Sequence, residues 1–297
     1  MTAALDWLQF VLAPQVFNGL SIGVAVVLMA LGLTIIFGLL DVINMAHGEF
    51  YAIGAYVGVA LLAAGVSFWW ALAITPILLA AIGYLSERVL IQRVFHSRDR
   101  HTLTLLLTFG LAMILEDGLK IAFGPNPQRL ESPITGATEV FGLFMPHYRL
   151  FLMASGTLVI AFVWIVVFRT RIGAMVRAAA FDHQMAASLG VPVRLVYAGT
   201  FAFGVALAGL AGVLLAPIYS VFPTMGRDFV LIAFSVVIIG GMGSIKGAVI
   251  AGIALTQIQS ISSLWISPVW SDPLLFGIMV LTLMWRPQGL FGRLGHG

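Results

Sequence analysis

The stretch RTRIGAMVRAAAFDHQMAASLGVPVR, residues 169–194, decides how the rest of this chain reads. It carries four arginines, Arg169, Arg171, Arg177 and Arg194, yet it lies between two long apolar runs, 149–168 and 196–218. A helix needs about 20 apolar residues to cross a hydrocarbon core of about 30 Å, and both runs have that length. The arginine-rich stretch is then a connection between two membrane spans, and the positive-inside rule places it in the cytoplasm. There a membrane protein of this size would meet a soluble partner.

Outward from that loop the chain keeps the same character. Of 297 residues, 61% are hydrophobic and 9% charged, with a mean hydropathy of +1.06. Such a chain cannot cover itself with polar surface as a soluble domain must. Further apolar runs near 16–40, 50–66, 67–86, 102–123, 229–245, 247–265 and 272–285 fill most of what remains. Several are short or interrupted by Gly and Pro, which points to tilted, kinked or re-entrant pieces among straight helices. The expected fold is an all-α integral membrane protein, a polytopic bundle of about eight to nine transmembrane helices with Gly-broken segments, in one domain over residues 1–297. The first run follows Asp6 and no Lys/Arg n-region, so it reads as a retained span and not as a signal peptide.

The net charge of +3 resides in the connections and is a topology signal, not a nucleic-acid footprint. Eleven Lys and Arg fall on one side: Arg88, Arg93, Arg98, Arg100, the four of 169–194, Lys246, Arg286 and Arg293. The other side has Arg129, Arg149 and Arg227, and Lys120 lies within a span. This bias puts the C-terminus in the cytoplasm, and nine crossings would put the N-terminus outside. Trp69, Trp70, Trp265 and Trp270 fall at outer ends and Trp285 at an inner end, where headgroup-level anchoring is the simple reading; Trp164, at mid-span, reads as packing. Cysteine is absent, which excludes disulfides, thiolate metal sites and thiol nucleophiles. With no nucleophile and base pair, paired metal ligands or cofactor motif, neither an enzyme nor a resident cofactor or metal is expected.

Four polar groups interrupt the apolar runs. Asp41, Asn44, His47 and Glu49 fall in the break DVINMAHGEF, just after Thr34 and Gly38. Unwound, charged backbone inside a membrane must be buried in protein or line a wet cavity, so this segment faces a pathway or a partner unless it is a short hairpin in solvent. A second break, IIGGMGSIKGAVIAG (238–252), has Gly240, Gly241, Gly243, Gly247 and Gly252, which let helices approach closely or let the chain unwind. It lacks the phosphate-loop pattern, and two Gly-interrupted segments, one per half, suggest a diverged internal repeat. Third, Glu116 and Lys120 in LAMILEDGLKIAFG are spaced i, i+4 for a helical ion pair, with Asp117 beside them; a structural pair and a coupling-ion site are both open readings. Fourth, the absence of Pro between Gly173 and Gly190 allows a helix of about four turns with Phe181, Met185 and Leu189 on one face, to lie on lipid or insert into a protein groove.

Four patterns, GLTIIFGLLDVINMAHGEFYAIGAY, RTRIGAMVRAAAFDHQMAASLGV, AFSVVIIGGMGSIKGAVIAG and RPQGLFG, occur in that order over residues 32–292, within a similarity that covers about 18–292. Together they resemble the membrane-spanning permeases of branched-chain amino acid ABC importers, the shorter of the two permease types. The resemblance implies partners: two cytoplasmic ABC ATPase subunits that bind the ATP, a second homologous permease, and a periplasmic or lipid-anchored substrate-binding protein, around the cell inner membrane. It implies that the loop at about 169–195 docks the ATPase, with Gly173, Arg177, Ala178, Asp182, Ala186 and Gly190 in coupling roles. It also implies that the translocation path runs near Thr34, Gly38, Asn44, His47 and Glu49, with Gly240, Gly241 and Gly243 as the glycine break beside it. The implied cargo is a hydrophobic amino acid; related permeases carry urea, short amides and other amino acids, and a self-sufficient secondary carrier is the competing class.

Overall fold

The computed structural model describes residues 7–94, 97, 99–140 and 143–292; Asp6, Arg98 and Arg293 of the charge pattern lie outside these. Each of the nine apolar runs forms a helix among the described residues. Helix α1, Ala13–Leu40, is entered through a π-helical turn at Leu8–Leu12 and has Pro in its first turn, where no intrahelical N–H is lost. It ends at Asp41, whose positive φ of 52° turns the chain while its N–H closes on the Phe37 carbonyl at 2.8 Å. Then follow α2 (His47–Ala63), α3 (Phe68–Ser86, prolonged to Val94), α4 (Arg100–Phe123), α5 (His147–Arg169), α6 (Arg171–Phe181), α7 (His183–Ser188), α8 (Val193–Leu215), α9 (Met225–Gly240), α10 (Ile245–Ser262) and α11 (Ser271–Trp285).

By length and composition, α1, α3, α4, α5, α8 and α10 suffice to cross a membrane. The runs 50–66, 229–245 and 272–285 form shorter helices of 17, 16 and 15 residues. The chain is therefore an α-helical polytopic membrane protein. Strands β1 (Ala137–Val140) and β2 (Leu143–Pro146) pair antiparallel between α4 and α5. Gln128 and Val221 exchange backbone hydrogen bonds at 2.8 Å nearby, tying two connections at that end.

The centre is built from α1 and α8, both buried along most of their length. Glycine makes the approach feasible. A Cβ on Gly32 would stand 2.4 Å from the Gly204 carbonyl oxygen, and one on Gly54 would stand 2.4 Å from the Gly209 Cα. With lipid as apolar as any side chain, such close backbone packing is what holds membrane helices together. By contrast α4 and α5 leave Leu106, Ile114, Ile121, Leu158 and Phe162 exposed, faces for lipid or a partner chain to cover. Trp164 is 40% exposed, its ring 5.8 Å from that of Phe168 and 5.7 Å from the Arg169 guanidinium. The mid-span reading fails because α5 continues only five residues further, leaving Trp164 near a helix end.

The two ends of the bundle are distinct. At one, Gln257 Nε2 donates to the Val16 carbonyl at 3.0 Å, Ser260 Oγ donates to the Gln15 carbonyl at 2.7 Å, and Arg149 donates to Asn18. At the other, the end of α1 meets the loop before α10, where Gly38 lies against Gly243. The first residues of α1 and the segment after α11 therefore lie at opposite ends.

Candidate docking and pathway site

The arginine-rich connection is held to the bundle by short-range chemistry. Thr170 caps α6, its Oγ1 accepting from Gly173 N–H at 3.1 Å. Gly173 is required here, because a Cβ would stand 2.1 Å and 2.3 Å from the Val167 and Val166 carbonyl oxygens. Arg177 donates to the Val167 carbonyl and stacks its guanidinium 5.7 Å from the Phe168 ring, satisfying the end of α5. Ala179 and Ala186 are buried against the bundle, while Ala178, Asp182 and Gly190 are exposed.

The single four-turn helix expected over 173–190 is not what forms. The chain breaks at Asp182, with φ −154° and ψ 106°, and starts again as α7. Aspartate competes for backbone donors: its Oδ1 accepts from Gln184 and Met185 N–H, both at 2.9 Å, and that cap outweighs helix continuity. Phe181, Met185 and Leu189 consequently do not share one helical stripe. All three are nonetheless exposed, Phe181 by 87%, on a short αα elbow closed by Gly190 at φ +86°.

Beside this elbow lies a cavity of about 810 Å³. Arg177 and Phe181 of α6, Gly38 and Asp41 at the end of α1, Gly243 and Lys246 at the glycine break, and Phe291 line it. The break itself is sharp: Gly241 and Gly243 have φ of +99° and +79°, and Ser244 caps α10 by accepting from Gly247 N–H at 3.1 Å. Gly240 packs on Gly247, where a Cβ would stand 1.9 Å from the facing carbonyl oxygen. Asp41 pairs with Arg100 and His101, each at 3.6 Å.

The polar break after α1 folds inward. Asn44 and His47 are fully buried and Glu49 is 3% exposed, so a hairpin in solvent is excluded. His47 Nε2 donates to the Met29 carbonyl at 3.1 Å, and its ring touches the site of Gly32. Those contacts place the start of α2 about 12–16 Å back from the end of α1, half-way along the bundle. Asn44 Oδ1 accepts from Ala46 N–H at 3.1 Å. Asn44 Nδ2, His47 Nδ1 and Glu49 Oε2 have no partner. Among the residues expected on the path, Gly38 and Gly243 line the cavity. Thr34, Asn44, His47, Glu49, Gly240 and Gly241 are buried in helix contacts, and Thr34 donates to its own Ala30 carbonyl at 2.7 Å.

Two partnerships escaped the sequence. RPQGLFG returns from α11 to close the glycine break, Leu290 and Phe291 N–H donating to the Ile239 and Gly240 carbonyls at 2.8 and 3.1 Å. Its Gly289, at φ +77°, was a visible turn signal, but its target was not. The Glu116–Lys120 pair forms at 2.8 Å, and Arg227, 111 residues away, binds the same carboxylate at 2.6 Å.

The bundle, its inward-folded breaks and the helical elbow outside it define a polytopic membrane protein of the transport-permease class. The chain belongs to the branched-chain amino acid transport system permease component family, whose model matches residues 15–283. It is 33% identical to the high-affinity branched-chain amino acid transport system permease protein LivH of Salmonella typhimurium, over 94% of this chain and 95% of that one. To BraD of Pseudomonas aeruginosa, named for the same kind of system, it is 30% identical with the same coverage. It is also 31% identical to the permease protein LivM of Escherichia coli, over 89% of this chain and 67% of LivM. Among solved structures, a chain of PsaBC from Streptococcus pneumoniae in complex with Fab matches with a TM-score of 0.51 and 16% identity, covering 95% of each, a likeness of fold alone.

Proposed function

We propose that this chain is the permease subunit of an ATP-binding cassette importer in the cell inner membrane and carries branched-chain, hydrophobic amino acids. Two cytoplasmic ATPases supply the energy, a second, related permease completes the path, and a periplasmic or lipid-anchored binding protein delivers the solute. Similarity to both LivH and LivM supports a pair of related permeases. The chain passes the membrane nine times, with α2 and α9 as short passes that begin inside it, and its C-terminus is cytoplasmic.

The observation that carries this reading is the cavity shared by α6, the end of α1 and the glycine break. The α6–α7 elbow offers exposed Phe181, Met185 and Leu189 to an ATPase groove, while its inner side faces the cavity that both breaks line. Movement of the elbow with the ATPase dimer is therefore delivered to the two places where the helices are already interrupted, and these reorient in alternating access. The test is uptake of labelled leucine by the assembled transporter in proteoliposomes, with purification of what accompanies the tagged chain. Two P-loop ATPases, a second permease and ATP-dependent uptake are expected; a stable lone chain that transports leucine without ATP would overturn the reading.

A further inference from the structure

An amino acid crosses as a zwitterion, and both charges need partners inside the membrane. Asp41 and Lys246 of the two breaks face the cavity beside the elbow, at one end of the bundle, and Asp41 is already paired with Arg100 and His101. Another charged cluster lies elsewhere. On α4 and at the first turn of α9, four charges alternate in sign: Asp117, Lys120, Glu116, Arg227. Lys120 Nζ lies 3.1 Å from Asp117 and 2.8 Å from Glu116, and Arg227 lies 2.6 Å from Glu116. The inner carboxylate, Glu116, is nearly buried, whereas the two outer members point away from the protein, Asp117 with 66% and Arg227 with 64% of the side chain exposed.

Glu116, Asp117 and Lys120 lie in the last two turns of the membrane-length helix α4 and Arg227 in the first turn of α9, where exposed charges are stable only against water or a partner. A second observation marks the same place. The buried Glu49 carboxylate, one oxygen of which has no partner, lies against Gly226, next in the chain to Arg227. The Met225–Gly240 helix begins there, and the positive potential of its first-turn N–H groups beside Arg227 is offset in part by Asp228 of the same turn.

We infer that the Asp117–Lys120–Glu116–Arg227 row walls the solute path and holds the charged end of the amino acid, Asp117 taking the α-ammonium and Arg227 the α-carboxylate. The opposite wall belongs to the second permease, and the apolar side chain of the solute is left to the neighbouring Ile and Met residues of α4. This inference rests on the proposed amino acid import, and it assigns a binding role to residues that a purely structural ion pair would not give.

The chain has no cysteine, so single-cysteine variants report without background. In the assembled transporter, Asp117→Cys is expected to react with a membrane-impermeant, water-soluble methanethiosulfonate, and saturating leucine is expected to slow the reaction. Leu158→Cys, on the outward face of α5, should stay unreactive. Kinetically, Asp117→Asn and Arg227→Gln should each raise the leucine KM by about tenfold with kcat less affected, and Asp117→Glu and Arg227→Lys should recover most of it. If Asp117→Cys is as unreactive as Leu158→Cys while the parent transporter imports leucine, this face lies in lipid and the inference is overturned, with amino acid import intact. Reactivity that leucine does not change, together with an unaltered KM in both variants, would overturn the contact. Loss of kcat alone, not rescued by the conservative variants, would reduce the row to a structural tie.

Discussion

At the scale of single residues, the close approaches make the sharpest predictions. A Cβ on Gly48 would stand 2.0 Å from the Gly226 carbonyl oxygen and 2.7 Å from the Val230 Cβ. Backbone cannot yield as a flexible side chain does, so Gly48→Ala is expected to cost about 1–3 kcal/mol, read as a lower unfolding temperature in detergent. Gly118→Ala has nothing within 4 Å of the added carbon and should leave that temperature unchanged or raise it. Glycine in HGEF was legible as a small residue in a break. That its neighbour is another glycine 178 positions later was not, because a single sequence records spacing along the chain and not across it.

At the scale of elements, the α6–α7 elbow is the informative case. Asp182→Ala removes the acceptor that caps α7 and should weaken it by about 1 kcal/mol, seen as faster hydrogen exchange at the amides of residues 184–186. Its effect on uptake separates a rigid elbow from a continuous helix: joining α6 to α7 would move Phe181 and Leu189 to new bearings and should lower coupling. Replacing Phe181, Met185 and Leu189 together by Ala should release the ATPases during purification while the permease still inserts, because these exposed apolar side chains make no use of the bundle. The sequence disclosed a basic connection carrying apolar Phe181, Met185 and Leu189, but there it reads as one continuous helix. The break at Asp182 was hidden by a conflict of local preferences, alanine for helix and aspartate for a cap, that composition alone does not settle.

Across the whole molecule, the C-terminal segment is a tie between distant parts. Leu290→Pro removes the N–H that satisfies the Ile239 carbonyl, leaving a helix end unpaired in an apolar setting. A loss of about 1–3 kcal/mol is expected, measured as thermal stability, with the largest change in protease sensitivity near Gly241. Topology is checked in intact cells: an impermeant thiol reagent should label Glu139→Cys in the hairpin directly and Leu189→Cys only after permeabilisation. The reverse pattern would invert the proposed orientation.

The apolar runs, their approximate ends, the loop that carries the arginines and the family resemblance all followed from the chain itself. The first three depend on local composition or on a length measured along the backbone, which the bilayer imposes directly, and the resemblance rests on four ordered sequence patterns. The tertiary structure alone decided where the broken segments go. It buried Asn44, His47 and Glu49 half-way along the bundle, brought Gly38 to Gly243, folded RPQGLFG onto the glycine break, and added Arg227 to Glu116. The reason is that in a chain apolar on every face the helical pattern no longer says which side faces in. Partners are then chosen by backbone clearance at glycine and by the need of each buried polar group for a partner, and both are properties of residues far apart in sequence.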